Sequence, residues 1–185
     1  MAALIEVRRP LAQMRKIAEQ VAGRLAPVCT RIEIAGSIRR GKETVKDIEL
    51  VAIPTLQADL FGNETPDLAP LNALLVGWIE SGHVTLEKNG DRYKRFTMMT
   101  DSRVVAVDLF LATPDNYGYI LMLRTGSAEF SRHMVTERHF GGLKPKHIQV
   151  SDGAVWIGAK PVAVPDEVTL FALWERDYIE PRERD

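Results

Sequence analysis

The sequence predicts an α+β fold in which a mixed or antiparallel sheet carries helices on one face, followed by a small α/β unit. Helical and strand periodicities alternate along the first 113 residues. Two strand-like runs flank Asn89-Gly90, a strong hairpin signal. After Thr113-Pro114 the alternation gives way to two short helical stretches and a second hairpin signal. We therefore divide the chain into residues 1–113 and 114–185.

Composition describes an ordinary globular chain. Of its 185 residues 45% are hydrophobic and 26% are charged, and the formal net charge is −1. One cysteine excludes an internal disulfide and suits a reducing cytoplasm. We see neither an apolar run of membrane-spanning length nor a signal peptide, so we expect no membrane partner. The net charge does not indicate a nucleic-acid partner, although a local basic face stays open.

Elements of the first part follow from periodicity. Residues 10–26 predict a helix with one apolar stripe, formed by Leu11, Met14, Ile17, Val21 and Leu25. Strands are predicted at 31–35, 47–53, 84–87, 92–99 and 103–111. Residues 54–67 read as a loop rich in turn residues, and 68–81 as a second helix.

Elements of the second part are shorter. Two helices are predicted within 117–140, separated near Thr125-Gly126. A hairpin follows across Asp152-Gly153, and a last short helix is predicted within 165–177.

Two acids lie within an otherwise apolar strand. Asp47 and Glu49 are two residues apart and so face the same side of the sheet. Asp108 interrupts a second apolar strand, and pairing of the two strands would bring three carboxylates together. Converging acids repel one another unless cations are present, and hard oxygen ligands suit Mg²⁺. The alternative is a solvated sheet face, which would be the ordinary explanation for a single acid.

A Gly-Ser turn upstream favours the metal interpretation. Gly36 lets the backbone approach a phosphate closely, and Ser37 adds a hydroxyl group. Arg39 and Arg40 follow as donors for phosphate oxygens. A phosphate cradle beside a metal site predicts phosphoryl or nucleotidyl transfer, in which two ions clamp the attacking and leaving oxygens.

Three segments together resemble one enzyme family. "GSIRRGKETVKDIELV" is similar to the Gly-Ser, spacer, Asp-apolar-acid pattern of the nucleotidyltransferase superfamily. "RTGSAEFSRHM" and "DYIEPRERD" resemble the Thr-Gly-Ser segment and the Glu-Pro-x-x-Arg ending of the X family of DNA polymerases. The likeness runs from about residue 10 to the end of the chain.

The resemblance implies roles for particular residues. Asp47 and Glu49 would hold the ion that carries the nucleotide, and Asp108 would complete the site of the catalytic ion. The ions would be Mg²⁺, with Mn²⁺ as a substitute. Residues 1–113 would form a palm-like catalytic domain and 114–185 a fingers-like nucleotide-binding subdomain. Contacts with the nucleoside triphosphate would come from Gly36, Ser37, Arg40, Leu123, Arg124, Thr125, Gly126 and Ser131.

Departures from the family pattern are also visible. Glu49 stands where these polymerases usually have Asp, and Leu123-Arg124 replaces an aromatic pair that checks the ribose sugar. Ala106 replaces an Arg that often precedes the third acid by two positions. The family's lyase domain and helix-hairpin-helix DNA clamp are not matched in this sequence.

Two basic runs with interleaved aromatics are the last candidate functional segments, "KNGDRYKRF" and "RHFGGLKPKH". They are interpreted either as nucleic-acid contacts or as solvated faces. In the first interpretation the phosphate contacts would be Lys88, Arg92, Lys94, Arg95, Lys144 and Lys146.

The functional expectation is a minimal X-family DNA polymerase. It would add nucleotides to the 3′-hydroxyl of a primer on template or gapped DNA, as in gap filling or DNA repair. We expect a monomer in the cytoplasm, of a cell or of a host infected by a virus or phage. Template-independent transfer, transfer to an acceptor other than DNA, and binding without chemistry are the alternatives.

Overall fold

The computed structural model describes residues 7–62, 64–100 and 103–185. The first residues, where no signal peptide is predicted, and Asn63 in the predicted loop lie outside the described residues. The described residues form twelve strands and six α-helices, so the α+β prediction is confirmed. The strands are β1 Arg9–Pro10, β2 Cys29–Ile34, β3 Thr44–Val45, β4 Ile48–Pro54, β5 Leu56–Ala58, β6 Glu64–Pro66, β7 Val84–Asn89, β8 Tyr93–Thr100, β9 Arg103–Leu111, β10 Ile148–Ser151, β11 Ala154–Ile157 and β12 Lys160–Val162. The helices are α1 Leu11–Leu25, α2 Gly36–Arg39, α3 Ala69–Glu80, α4 Tyr117–Thr125, α5 Ala128–Val135 and α6 Glu167–Leu173.

A five-stranded mixed sheet organises the first part, in the order β2-β4-β9-β8-β7. The central strand β4 runs antiparallel to β2 and parallel to β9. Strands β7, β8 and β9 form an antiparallel meander, with the predicted turn at Asn89-Gly90 between β7 and β8. A parallel pair needs a long crossover, and here the crossover contains α3 and the meander.

One face of this sheet holds the main hydrophobic core. Leu50 and Leu109, from β4 and β9, are fully buried against Met14 and Val21 of α1 and Leu71 of α3. The predicted stripe of α1 faces this core because residues three and four apart share one side of a helix.

The opposite sheet face is only partly covered. At one end Val51 and Ile53 pack against Tyr117 and Leu121 of α4. The prediction placed helices on one face alone, and α4 is the exception. The remaining end of this face carries Glu49 in place of an apolar residue.

Residues 114–185 contain a second core. It joins α4, α5, α6 and the three-stranded sheet β10-β11-β12 around Trp174, which is fully buried. The β12 strand was not predicted, because Pro161 in its middle argues against a strand; as an edge strand, β12 tolerates it. A small hairpin of β5 and β6 likewise lies within the predicted loop. Within the described residues no helix is long and apolar enough to cross a membrane.

A buried ionic cluster joins the two cores. Glu167, at the start of α6, accepts two hydrogen bonds from Arg39, at 2.9 and 2.7 Å, and another from Arg184. Tyr178 donates its hydroxyl to the same carboxylate at 3.1 Å, and Arg39 also donates to Thr125 Oγ1 at 2.8 Å. Each oxygen of Glu167 is thus satisfied, which a buried charge requires.

We expect Glu167→Ala to lower the free energy of unfolding by about 3–5 kcal/mol, because it leaves the buried Arg184 and the partly buried Arg39 without their carboxylate. Urea denaturation measures this change. Glu175→Ala is the control, since Glu175 forms an exposed ion pair with Arg138 and should leave the midpoint unchanged. Equal effects of the two substitutions would contradict a special role for the cluster.

Glu167 also predicts how stability depends on pH. Burial alone would raise the pKa of this carboxyl group, but hydrogen bonds and charge from Arg39 and Arg184 hold the pKa below its usual value of 4.5. Such a group adds stability above its unfolded pKa and loses it as the pH falls through the folded pKa. The stability difference between wild type and Glu167→Gln should therefore shrink between about pH 5 and pH 2. Urea midpoints at several pH values test this; a constant difference would refute it.

Candidate functional site

The three predicted acids lie on the open end of the second sheet face. Asp47 directly precedes β4, Glu49 is the second residue of that strand, and Asp108 lies in β9. In the parallel pair, Glu49 and Asp108 are in register. The strand pairing on which the sequence argument depended is therefore present, and it brings residues about sixty positions apart to one place.

Electrostatics reflect this crowding. Burial, with added repulsion from Asp47 and Asp108, raises the pKa of Glu49 to about 7. Burial and the charge of Asp108 likewise raise the pKa of Asp47. Arg40 and Arg124 act in the opposite direction on Glu49, so both guanidinium groups lie within electrostatic reach. Three carboxylates in one poorly hydrated place are a natural site for a cation.

The Gly-Ser turn packs directly on Glu49. The Ala35 N–H donates to the carbonyl oxygen of Glu49 at 2.8 Å. Gly36 follows with φ +60°, and a Cβ added there would lie 1.8 Å from Glu49 Oε2. The positive φ favours glycine at this position, and any larger residue would also have to displace the Glu49 carboxylate. Ser37 follows, half-buried, in the single turn of α2.

Asp108 has two partners from the neighbouring strand. Arg95 of β8 lies opposite Asp108, and its Nη1 is 3.1 and 3.2 Å from the two carboxylate oxygens. The Tyr93 hydroxyl donates to the same carboxylate. Arg95 was predicted as a phosphate contact; here its guanidinium group faces Asp108 and Glu87. It supplies a cation near the third acid, where the sequence has Ala106 instead of Arg.

The donor chemistry of these acids suits Mg²⁺ or Mn²⁺, since all three offer hard oxygen atoms beside a glycine turn. The described residues nevertheless contain no group of three or more His, Cys, Asp or Glu side chains that could hold a metal ion as placed. Arg95 and Tyr93 occupy the oxygens of Asp108. The two-ion site thus stays a prediction, and it requires these contacts to rearrange.

Arg40 is held near the site by main-chain and side-chain acceptors. Its Nη1 donates to the carbonyl oxygen of Thr125 at 2.6 Å, and its Nε donates to Asp185 at 3.2 Å. Lys42 pairs with the same carboxylate. The predicted phosphate donor Arg40 therefore faces an acidic side chain in this conformation, whereas Arg39 belongs to the Glu167 cluster.

Residues 123–131 form the helix turn that the sequence placed beside the nucleotide. Gly126 ends α4, and an added Cβ would lie 2.4 Å from the Phe130 ring. Ser131 donates its hydroxyl to the carbonyl oxygen of Leu123 at 2.8 Å, which fixes the turn internally. Among the residues predicted here as nucleotide contacts, Arg124 is the exposed one, and its Cζ lies 3.9 Å from the centroid of the Phe110 ring.

A cavity of about 780 Å³ opens beside Asp108. Two aromatic rings from neighbouring strands line it, Tyr93 and Phe110, stacked with centroids 5.1 Å apart. Arg92 borders the cavity and donates to the carbonyl oxygen of Asp152 at 3.0 Å, which links the meander to the β10–β11 hairpin. From the sequence, Tyr93 was noted only within a basic run and Phe110 was not singled out, although Asp108 and Phe110, two residues apart on a strand, share one face.

The predicted DNA contacts do not form one site. Lys94 is 1% exposed and donates to Asn89, while Lys144 is 5% exposed and donates to the Ile148 carbonyl oxygen at 2.5 Å. Neither presents its charge at the surface, so we omit both from any proposed contact set. Lys88 and Arg92 are exposed near the first hairpin, and Lys146 is exposed in the second part of the chain.

Comparison with known proteins found no family model that matches the chain and no similar curated protein.

We expect Gly36→Ala to destabilise the protein by about 1 kcal/mol more than Gly82→Ala, and to weaken binding of a metal–nucleoside triphosphate complex. Both glycines have positive φ, but a Cβ at Gly82 meets no atom within 4 Å, whereas one at Gly36 displaces Glu49. Urea denaturation and titration calorimetry measure the two effects. Equal behaviour of the two variants would show that contact with Glu49 is unimportant.

Proposed function

We propose that the protein is a metal-dependent nucleotidyltransferase of the X-family DNA polymerase type. One observation carries the proposal: Glu49 and Asp108 stand in register on adjacent parallel strands, with Asp47 beside them and the Gly36 turn packed on Glu49. The raised pKa of Glu49 supports a site that gains stability when a cation neutralises its acids.

In this proposal the side chains have distinct tasks. Asp47 and Glu49 would hold the ion that accompanies the triphosphate, and Asp108 would complete a second site toward the acceptor. Two bound Mg²⁺ ions would supply charge neutralisation and activation of the acceptor hydroxyl. Tyr93 and Arg95 orient the carboxylate of Asp108 before the ions bind, which keeps the third ligand on the correct face.

The nucleotide would lie between the Gly36 turn and the end of α4. Gly36 lets the turn pack against Glu49. Arg40 would donate to phosphate oxygens after releasing Asp185. Gly126 would border the sugar, with Ser131 holding the turn through Leu123. Thr125, predicted for the same role, is fully buried and accepts hydrogen bonds from Arg39 and Arg40. Arg124, beside Phe110 rather than part of an aromatic pair, would leave selection between ribose and deoxyribose weak.

The acceptor would enter from the side of Asp108, where the cavity opens. A DNA primer terminus is our first choice, given the resemblance of the fingers-like segment. A specific observation also favours a second candidate. The cavity volume of about 780 Å³ lies within the range of small-molecule sites, so transfer to a small acceptor is the alternative.

Primer extension tests the proposal directly. A labelled DNA with a one-nucleotide gap is incubated with Mg²⁺ or Mn²⁺ and each deoxynucleotide or ribonucleotide singly. A single-stranded primer is run in parallel. Templated extension identifies an X-type polymerase, and extension regardless of template identifies a terminal transferase. Absence of product with retained nucleotide binding would favour the small-molecule acceptor.

We expect Asp108→Asn to reduce turnover at least about 100-fold, because the second metal site loses its negative ligand. Asp115→Asn, at an exposed aspartate outside the site, is the matched control and should extend primers as wild type does. Gel-resolved extension rates at saturating nucleotide measure both. Wild-type turnover in Asp108→Asn would refute the assignment of the acids.

A further inference from the structure

A second surface, formed by residues 132–147, has the chemistry of a nucleic-acid contact. Its centre is Phe140, whose side chain is 75% exposed. The His139 ring leans against it with centroids 3.8 Å apart. One cleft on this surface is bordered by Phe140, Arg132 and His133, and a neighbouring cleft by His139, Lys146 and His147. We call residues 132–147 the Phe140 surface.

Main-chain hydrogen bonds hold the loop that carries Phe140. Arg138 N–H donates to the Lys144 carbonyl oxygen at 3.0 Å, and Lys144 N–H donates to that of Thr136 at 2.9 Å. A Cβ on Gly142 would lie 2.0 Å from the Thr136 carbonyl oxygen, so the chain doubles back closely. An aromatic ring held outward on a rigid loop loses little entropy when it binds a partner.

Charge on the Phe140 surface is predominantly positive, although the whole chain has a formal net charge of −1. Residues 132–147 contain four Lys or Arg, one acid and three of the four histidines. The neighbouring acids are engaged: Glu137 contacts His139 and Lys144, and Glu175 contacts Arg138. Within the described residues Arg132 and Lys146 have no acidic partner, and Glu129 is the remaining acid in the clefts.

The surface lies one helix beyond the candidate site. Helix α5 begins after the Gly126 turn and has eight residues, so it is about 12 Å long. That length corresponds to about three or four nucleotides at the spacing of stacked bases. A single strand that follows α5 away from the Gly126 turn would span the helix in that number of nucleotides.

We propose that the Phe140 surface binds single-stranded DNA, with a base stacked on Phe140 and phosphates at Arg132 and Lys146. Exposed aromatics between cations are the recurrent chemistry of single-strand binding, since every base has a stacking face and every nucleotide a charge. The choice of DNA rests on the proposed function, whereas the stacking surface itself does not.

Fluorescence anisotropy of a labelled 12-nucleotide oligo(dT) tests this, without metal or nucleoside triphosphate so that catalysis is not involved. We expect Phe140→Ala to weaken binding about tenfold and Phe140→Trp to retain it. Phe61→Ala is the control, because Phe61 is 89% exposed in the β5–β6 hairpin, outside this surface. Arg132→Gln and Lys146→Gln should each reduce the slope of log affinity against log salt by about 0.7.

Equal affinity of Phe140→Ala and wild type would overturn the proposal, as would an equal loss in Phe61→Ala. Tighter binding of an oligo(U) RNA would overturn the choice of DNA. If DNA binding depends on Phe140 but the protein extends no primer, the binding surface is supported and the proposed function is refuted. If the protein extends primers but Phe140→Ala binds DNA as wild type does, the proposed function is supported and the binding surface is refuted.

Discussion

The pairing of the buried Glu167 carboxylate with two arginines is the interaction on which the positions of the site residues depend. The carboxylate stands between Arg39, which belongs to the turn after β2, and Arg184 near the end of the chain. Without it the fully buried Arg184 would remain unpaired among aromatic rings, a cost that packing alone does not offset. Because Arg39 also bonds Thr125, the cluster fixes the distance between the Gly36 turn and the end of α4.

The consecutive residues Arg39 and Arg40 have different partners. Arg39 points toward Glu167, whereas Arg40 points toward Thr125 and the exposed Asp185. The first arginine pairs with a buried carboxylate, whereas the carboxylate that pairs with the second is 49% exposed and screened by solvent. Two consecutive arginines thus differ in role: Arg39 stabilises the fold, and Arg40 is the one that we propose as a phosphate donor.

Much of the fold was readable from the sequence, because periodicity reports burial directly. The stripe of α1, the Asn89-Gly90 turn and the acids in the two paired strands all follow local rules. β12 was not predicted because proline is unfavourable in most strands, and only the edge position of β12, which the sequence does not show, makes Pro161 acceptable. Arg95 and Tyr93 could not be assigned to Asp108, because cross-strand partners depend on a register that no local pattern fixes.

The parallel pairing of β4 with β9 has a consequence for how the acids come together during folding. Residues 48–52 meet residues 107–111, so the pair closes a loop of more than fifty residues. Closure of such a loop is entropically costly and slow compared with forming the β7–β8–β9 meander. Asp108 therefore meets Glu49 only when β4 pairs with β9. The pairing that brings Glu49 beside Asp108 also joins their apolar neighbours Ile48, Leu50, Val107 and Leu109, whose burial offsets the repulsion between the acids.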